Sequence, residues 1–366
     1  MGVDGSEGAT GQSSDSWNLR SSARVAEDGR QSLRLLRVEG THRELGEQIG
    51  ATCADSVRRR CDALDEATVA AAEPYLAVTR RELPWLIEEL DGVADAAGAD
   101  PMRLFAASIE ELDEAGAEPV RGCSDLVAGP PATADGHLWV AHTNDLSAAS
   151  QDDLIAIEWR LPGDPVVFTI GVGPWISVGF NSAGLSLTGN ELTPNDNRIG
   201  IPRLLQVRDI VRRRTLAGAL EAALHPARAS SYNNLLCHRD GGAVSVEGSA
   251  TDAELLRPGA EGTLAHTNHY VSGRMQRFEG DVAYASRSDV RYRRALAWLA
   301  SGNITAATLR SALSDHSDAP DAICRHLHPD SQTKTVFWCI ADVTTGEISY
   351  GRGNPCESEE QLYAFD

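Results

Sequence analysis

The chain has 366 residues, of which 42% are hydrophobic and 23% are charged. This length can bury a large core, and this composition is that of a globular protein, which excludes fibrous and wholly disordered classes. The 53 acidic residues outnumber the 33 basic ones and give a net charge of −20. Such a surface repels phosphate backbones and anionic lipids, so we expect neither a nucleic-acid nor a membrane partner.

Residues 1–31 are rich in Gly, Ser, Asp and Glu, which predicts a disordered tail. The sequence contains no apolar run long enough for a membrane helix, and its first residues lack the apolar stretch of a signal peptide. The seven cysteines are widely spaced and form no CxxC pair. We therefore predict reduced thiols and a cytoplasmic location.

The residues before Cys123 are mainly of helical type. The apolar run Leu33–Val38 predicts a strand, and Thr41 with Glu44 forms a capping box at the start of the next helix. Helical patterns cover residues 41–72, 82–97 and 101–114.

Beyond Cys123 the pattern changes to short runs of β-branched and aromatic residues separated by Gly, Pro and Asp turns. These runs predict strands at residues 138–141, 154–161, 166–172, 176–180, 232–238, 243–247 and 334–341. Helical patterns lie between them at residues 201–224 and 286–312. Helices followed by strands and helix pairs predict an α+β fold in which antiparallel sheets are covered by helices.

Cys123 lies at the junction between these two patterns, directly after Gly122. A single cysteine is usually a buried structural thiol. Gly122, however, permits backbone conformations closed to other residues, which would let the Cys123 thiol reach the preceding carbonyl carbon. An N-to-S acyl shift and hydrolysis would release an N-terminal cysteine. That residue would carry a thiol nucleophile and a general base, its α-amine, whose pKa is ordinarily about 8.

Further motifs follow the junction Gly122-Cys123-Ser124 in a fixed order. They lie at residues 136–145 (GHLWVAHTND), 179–185 (GFNSAGL), 266–269 and 353–356, and upstream matches lie at residues 40–50 and 88–94. The ordered set resembles the isopenicillin N acyltransferase (acyl-CoA:6-aminopenicillanic acid acyltransferase) family of self-processing N-terminal-nucleophile (Ntn) hydrolases. The resemblance covers about residues 33–358.

The resemblance implies an Ntn-hydrolase αββα sandwich with two antiparallel sheets covered by helices. It implies a zymogen that cuts itself between Gly122 and Cys123. The helical pro-region, residues 32–122, and the catalytic chain, residues 123–366, would stay associated as one integrated domain. The activity implied is that of an amidohydrolase or N-acyltransferase acting on a small amide or acyl-amine through a thioester at Cys123. No cofactor is expected, and the pattern selects neither an oligomeric state nor hydrolysis over acyl transfer.

Asp145 follows Cys123 at a distance that accommodates one strand, a turn at Asp135-Gly136 and a return strand. A carboxylate placed there would hold the new α-amine, which is the role of the matching aspartate in the family. The alternative is a surface aspartate at the end of a strand.

Asn190 and Asn268 each follow a predicted strand and could present a side-chain N–H₂ to a developing oxyanion. Asn268 matches the oxyanion asparagine of the family. An asparagine in a loop is otherwise a turn residue.

His142 and Lys334 are candidates for the environment of the nucleophile. The related bile-salt hydrolases carry an arginine where His142 falls, so His142 either tunes the thiolate or packs in the core. Lys334 precedes an apolar strand, near where the family has a basic residue, or is a solvated lysine at a strand end. His142, His266 and His269 lack a third ligand at useful spacing, and no metal site is predicted.

A different class of function is a non-catalytic protein that keeps this fold and binds a small amide or peptide. The joint presence of Gly122, Cys123, Asp145 and Asn268 favours the enzyme, because binding alone would not need this set. Trp175 is interpreted either as a residue of the substrate pocket or as part of the core.

Overall fold

The structure, a computed structural model, describes residues 32–112, 122–329 and 331–366. The tail predicted at residues 1–31 lies outside the described residues. The α-helices of the described residues are α1 (His42–Asp62), α2 (Glu66–Ala71), α3 (Glu73–Glu82), α4 (Pro84–Ala97), α5 (Pro101–Ala106), α6 (Arg203–Val211), α7 (Leu216–Ala223), α8 (Val282–Leu299) and α9 (Ala306–Leu313). The strands are β1 (Leu35–Glu39), β2 (Gly122–Ala128), β3 (Trp139–Ser147), β4 (Leu154–Arg160), β5 (Val167–Val172), β6 (Trp175–Asn181), β7 (Leu185–Asn190), β8 (Asn233–His238), β9 (Gly242–Gly248), β10 (Ala253–Leu256), β11 (Thr263–His266), β12 (Thr333–Asp342), β13 (Glu347–Arg352) and β14 (Gln361–Tyr363).

These strands form two sheets. The larger sheet has eight strands in the order β1-β4-β5-β6-β7-β8-β9-β10, and the smaller has six in the order β11-β2-β3-β12-β13-β14. Neighbouring strands are antiparallel except β1 and β4, which are parallel. The antiparallel sheets predicted from the sequence are thus present.

Strand β12 shows how the layers are built, because its side chains alternate between two cores. Phe337, Cys339 and Ala341 pack between the sheets, whereas Trp338 and Ile340 pack against α8 and α9. A third core joins the outer face of the larger sheet to α1, α4, α6 and α7. The order of layers is therefore helices, sheet, sheet, helices, and the predicted αββα sandwich is confirmed.

The capping box at the start of α1 is confirmed, because Thr41 accepts the Glu44 N–H and the Glu44 carboxylate accepts the Thr41 N–H. The predicted length of this helix is wrong. The helix ends at Asp62, and the side chain of Asp65 caps a separate helix, α2. Because Asp65 provides a second N-cap, the predicted segment forms two helices instead of one.

The last helix before Cys123 is shorter than its pattern predicts. Helix α5 ends at Ala106, and a 3₁₀ turn follows at Glu110–Leu112. Residues 113–114 of the predicted segment lie outside the described residues. The sequence pattern also does not predict β10 and β14, which are short strands at sheet edges, or β13, which lies between β12 and β14; all three have partly exposed side chains. Among the helices described, none has both the length and the apolar composition of a membrane span.

Candidate active site

The pairing of β2 with β3 decides what surrounds the Cys123 thiol. Cys123 lies opposite Asn144, and Asp125 lies opposite His142. Side chains two residues apart on a strand share a face, and directly opposed residues share that face as well. Val127, the next residue on this face of β2, belongs to the core between the sheets. The four polar side chains therefore point into the space between the two sheets.

Asp125 and His142 form a buried pair, in which Asp125 Oδ1 lies 2.9 Å from His142 Nδ1 and neither side chain is exposed. Burial lowers the pKa of His142, but the Asp125 carboxylate and a hydrogen bond with Cys123 outweigh it and raise the pKa to about 10. The imidazole is therefore protonated at neutral pH. A buried positive charge lies beside the Cys123 sulfur, and Asn144 Nδ2 lies 3.8 Å from the same sulfur.

Two side chains hold the backbone of Cys123. Its N–H donates to Asn268 Oδ1 at 2.7 Å. Arg291 Nη1 donates to the Cys123 carbonyl at 2.5 Å, and Arg291 Nη2 donates to the same Asn268 oxygen at 2.9 Å. Arg291 projects from α8 and is 1% exposed. The position of the Cys123 nitrogen is therefore set by buried side chains from other parts of the chain.

Asp145 lies opposite Gly122 on the other face of the hairpin from the thiol. Its Oδ1 accepts a hydrogen bond from Thr335 Oγ1 at 2.7 Å. Its Oδ2 lies 3.9 Å from Arg325 Nε and has no hydrogen-bond partner within the described residues. Burial raises the pKa of Asp145, and the charges of Arg325 and Arg291 offset this only in part.

Gly122 is explained by the space around it. A Cβ at this position would lie 3.0 Å from Asp145 Oδ2 and 3.5 Å from Arg291 Nη2. Gly122 pairs as the first residue of β2 and is not among the glycines with positive φ. A side chain here would therefore crowd the Asp145 carboxylate, and the structure shows none of the unusual backbone conformation expected from the sequence.

Asn190, the last residue of β7, is 1% exposed and tightly oriented. Its Oδ1 accepts hydrogen bonds from Asn233 Nδ2 and from His266 Nδ1, both at 2.9 Å. His266 Nε2 lies in turn 2.8 Å from Glu247 Oε1. These contacts occupy the oxygen of the Asn190 amide, while its Nδ2, a double donor, has no partner in the described structure.

A pocket of about 150 Å³ reaches the Cys123 thiol, and Asn144 and Asn190 also line it. Its lining is partly apolar, and Arg60, Glu110 and Glu191 add charged groups to it. The apolar wall consists of Leu146, Val172, Trp175, Ile176, Leu187, Leu204 and Val207. Trp175 is 6% exposed, so it belongs to both the pocket and the core. A larger, open depression of about 830 Å³ beside β1 and α1 contains none of the predicted site residues.

Lys334, a predicted residue of the site, and His269, a histidine considered as a metal ligand, do not line this pocket. Lys334 pairs opposite Leu146 and is partly exposed. His269 lies 2.9 Å from Ser288 Oγ, and burial followed by the charge of His266 lowers its pKa to about 4. Both interpretations of Lys334, a residue near the nucleophile or a solvated lysine at a strand end, stay predictions.

The structure adds residues to the site that the sequence analysis does not select. The sequence could have indicated Asp125, because a residue two positions after Cys123 on a strand lies on the same face. It could also have indicated Asn144, which is the neighbour of Asp145 in a matched motif. No sequence feature indicates Arg291 or Arg325, because nothing local separates them from the other arginines of an arginine-rich sequence.

The layered αββα sandwich is the architecture of an Ntn-type acyltransferase or amidase. Residues 132–357 match the family described as acyl-coenzyme A:6-aminopenicillanic acid acyl-transferase. The chain belongs to this family, which confirms the resemblance seen in the sequence. The matched region begins after Cys123 and includes His142, Asp145, Asn190 and Asn268. No curated protein matches the chain in sequence.

Solved structures of similar fold are distant in sequence. An N-acylethanolamine-hydrolyzing acid amidase ortholog from Caenorhabditis elegans is 15% identical, with a TM-score of 0.42 over 61% of this chain and 93% of that chain. A variant of conjugated bile acid hydrolase from Clostridium perfringens is 12% identical, with a TM-score of 0.44 over 67% and 97%. Penicillin V acylase from Agrobacterium tumefaciens is 10% identical, with a TM-score of 0.40 over 66% and 86%.

Proposed function

We propose that the protein is an Ntn cysteine amidohydrolase or N-acyltransferase that cuts its own chain between Gly122 and Cys123. The observation that carries the proposal is the hydrogen bond of 2.7 Å from the Cys123 N–H to Asn268 Oδ1, beside a thiol that faces a pocket. Any buried backbone N–H needs an acceptor, and here that acceptor is a side-chain amide held in place by Arg291. An N-terminal nucleophile needs such a fixed partner, because that nitrogen becomes the α-amine that acts as its base.

In self-cleavage the Cys123 sulfur attacks the carbonyl carbon of Gly122, and the bond from that carbon to the Cys123 nitrogen breaks. Water hydrolyses the thioester and leaves a carboxylate on Gly122 and a free α-amine on Cys123. Asp145 supports this sequence of steps, because its buried Oδ2 lacks a hydrogen-bond donor next to Gly122. An unsatisfied buried oxygen costs about 1–3 kcal/mol, and the new amine supplies a donor.

The N-terminal and C-terminal parts should stay associated after the cut. Strand β1 pairs with β4 along its whole length, from Leu35 opposite Ala156 to Glu39 opposite Arg160. Helices α1 and α4 share a core with the larger sheet. Both contacts join residues before Gly122 to residues after it, and neither involves the bond to be cut.

During turnover the α-amine takes the proton of the Cys123 thiol and later gives it to the leaving amine. The protonated His142 places a positive charge where the sulfur becomes negative. The N–H₂ of Asn190 supplies a donor for the oxyanion from the pocket wall. Asn268 donates one side-chain N–H to the Glu191 carbonyl at 3.1 Å, and its second N–H donates to the oxyanion. The side-chain oxygen of Asn268 accepts a hydrogen bond from the α-amine.

The apolar wall of the pocket suits a small amide with an apolar acyl group, which becomes a thioester on Cys123. Water then completes hydrolysis, whereas a bound amine completes acyl transfer. The family description names an acyl-coenzyme A donor and 6-aminopenicillanic acid as acceptor. Both kinds of substrate therefore belong in an activity screen.

Self-cleavage is tested by intact mass spectrometry of wild-type protein, Cys123→Ala and Cys53→Ala. Cys53 is a matched control because its thiol is also buried but does not line the pocket. We expect wild type and Cys53→Ala to give residues 1–122 and 123–366, and Cys123→Ala to remain one chain. The same samples are assayed with N-acyl amides, with and without an amine acceptor.

A wild-type chain that remains uncut after long incubation contradicts self-cleavage. If it also turns over no amide or acyl donor, the alternative of a binding protein with this fold replaces the enzyme. Cleavage that persists in Cys123→Ala assigns the nucleophile to another residue.

A further inference from the structure

A second cluster of ligand-type side chains lies outside the pocket and consists of His316, Cys324, His326 and Cys356. Their nitrogen and sulfur atoms all lie within 4.8 Å of one another. The two sulfurs are 3.6 Å apart, and the Nε2 atoms of the two histidines are 3.1 Å apart. His326 Nε2 lies 3.8 Å from the Cys324 sulfur and 3.4 Å from the Cys356 sulfur. All four groups thus converge on one point.

These distances can be compared with the edges of a tetrahedron around Zn²⁺. With Zn–S bonds of about 2.3 Å and Zn–N bonds of about 2.0–2.1 Å, tetrahedral angles place two sulfurs ~3.8 Å apart. The same geometry gives ~3.6 Å from sulfur to nitrogen and ~3.3 Å between nitrogens. Four of the six edges agree with these values to within about 0.3 Å, and the remaining two, from His316 Nε2 to the sulfurs, lie within 4.8 Å.

We propose that His316, Cys324, His326 and Cys356 bind one structural Zn²⁺ ion. Two thiolates and two neutral imidazoles are soft and borderline ligands that select zinc over magnesium or calcium. Four protein ligands close the coordination sphere, which is typical of a structural rather than a catalytic site. Asn354 Nδ2 also donates to the Cys324 sulfur at 3.5 Å, as the outer hydrogen bond of a metal-bound thiolate does.

The sequence analysis predicted no metal because it considered only His142, His266 and His269, which lack a third ligand at useful spacing. Here the ligands come from separate segments. His316 follows α9, Cys324 and His326 lie before β12, and Cys356 follows β13. Only the folded chain brings Cys356 to the other three.

The ion would hold the segment that carries Arg325. Arg325 lies between two of the ligands, and its Nε is 3.9 Å from Asp145 Oδ2. Its carbonyl accepts hydrogen bonds from Thr335 N and Asn354 Nδ2, both at 2.8 Å. The proposed ion therefore fixes a partly buried arginine that faces Asp145, while the zinc site itself does not depend on the proposed function.

The test begins with tag-free protein purified under argon with a non-thiol reductant, and zinc is measured by plasma mass spectrometry. We expect about one zinc per chain in wild type. Cys356→Ser and His326→Ala should each lower this at least tenfold. The controls are His328→Ala, an exposed histidine of the same segment, and Cys123→Ala, and both should keep the metal.

Cobalt provides an independent readout. Apo protein titrated with Co²⁺ should show the visible bands of tetrahedral cobalt and a thiolate charge-transfer band, and Cys356→Ser should show neither. Chelation of zinc from wild type should lower its Tm, because the ion binds only the folded state.

Wild type with less than about a tenth of a zinc per chain and no cobalt spectrum overturns the proposal, as does a Cys324–Cys356 disulfide in the freshly purified protein. Equal zinc loss in His328→Ala and His326→Ala overturns it as well. Because Cys123→Ala retains the ligands, failure of the zinc site and failure of self-cleavage are read separately.

Discussion

The buried pair of Asp125 and His142 should make the stability of this protein depend on pH. Burial lowers the pKa of His142, but Asp125 and Cys123 raise it to about 10 in the folded state, against an ordinary value of 6.5. The folded state therefore binds this proton more tightly than the unfolded chain. The resulting stabilisation is fully present below about pH 6.5 and is lost as the pH rises through about 10.

The substitution Asp125→Asn keeps the shape of the side chain and removes its charge. The difference between the two pKa values corresponds to about 5 kcal/mol, and breaking a buried ion pair typically costs about 3–5 kcal/mol. We therefore expect Asp125→Asn to lower the free energy of unfolding by about 4 kcal/mol at pH 6. A folded region of this size has an unfolding entropy of about 0.7 kcal/mol/K, so Tm should fall by about 6 °C.

The effect should shrink at higher pH, because the folded state no longer holds an extra proton on His142. With the same two pKa values, the stability that Asp125→Asn loses at pH 9 is about a third of the loss at pH 6, which corresponds to about 2 °C in Tm. Thermal unfolding is measured at both pH values in a Cys123→Ala background, which keeps the chain in one piece. Cys123 is a smaller cause of the raised pKa than Asp125, so most of the effect remains.

Asp342→Asn is the matched control. Asp342 also pairs with a histidine, His137, at 2.8 Å, but the side chain of His137 is 35% exposed. Solvent screens such a pair, so its loss should change Tm little at either pH. A Tm loss in Asp125→Asn that is the same at pH 6 and pH 9, or no larger than in the control, would refute the reasoning.

Three further predictions concern the site and the core. Asn268→Ala should fold but lose about 10²–10³ in kcat, the usual cost of one oxyanion donor, and a kcat near wild type would contradict the assignment. Asp145→Asn should lower kcat while leaving KM nearly unchanged, because the carboxylate orients the amine and does not touch substrate; a raised KM with normal kcat would assign it to binding. Trp338→Ala should cost about 3–5 kcal/mol of stability, since Trp338 is 0% exposed and packs under Arg310 at 3.6 Å; a loss below about 1 kcal/mol in urea unfolding would contradict this.

Local patterns in the sequence were sufficient for most helices and strands of the fold, though not for β10, β13 or β14. The capping box of Thr41 and Glu44 and the alternation along β12 act within one segment, and their periodicities follow from backbone geometry. The ordered motifs after Cys123 were sufficient for the family. Helix ends were predicted less well, because a competing cap such as Asp65 decides them by a small free-energy difference.

The surroundings of the thiol were decided only by tertiary structure. The register of β2 with β3 joined Asp125 to His142, and α8 brought Arg291 to the Cys123 carbonyl. Tertiary structure also brings the proposed zinc ligands together, since Cys356 lies next to Cys324 only when β12 and β13 pair. Such contacts join residues far apart in the chain, and no local periodicity encodes them. Packing of the two sheets and their helices selects which polar side chains are buried together.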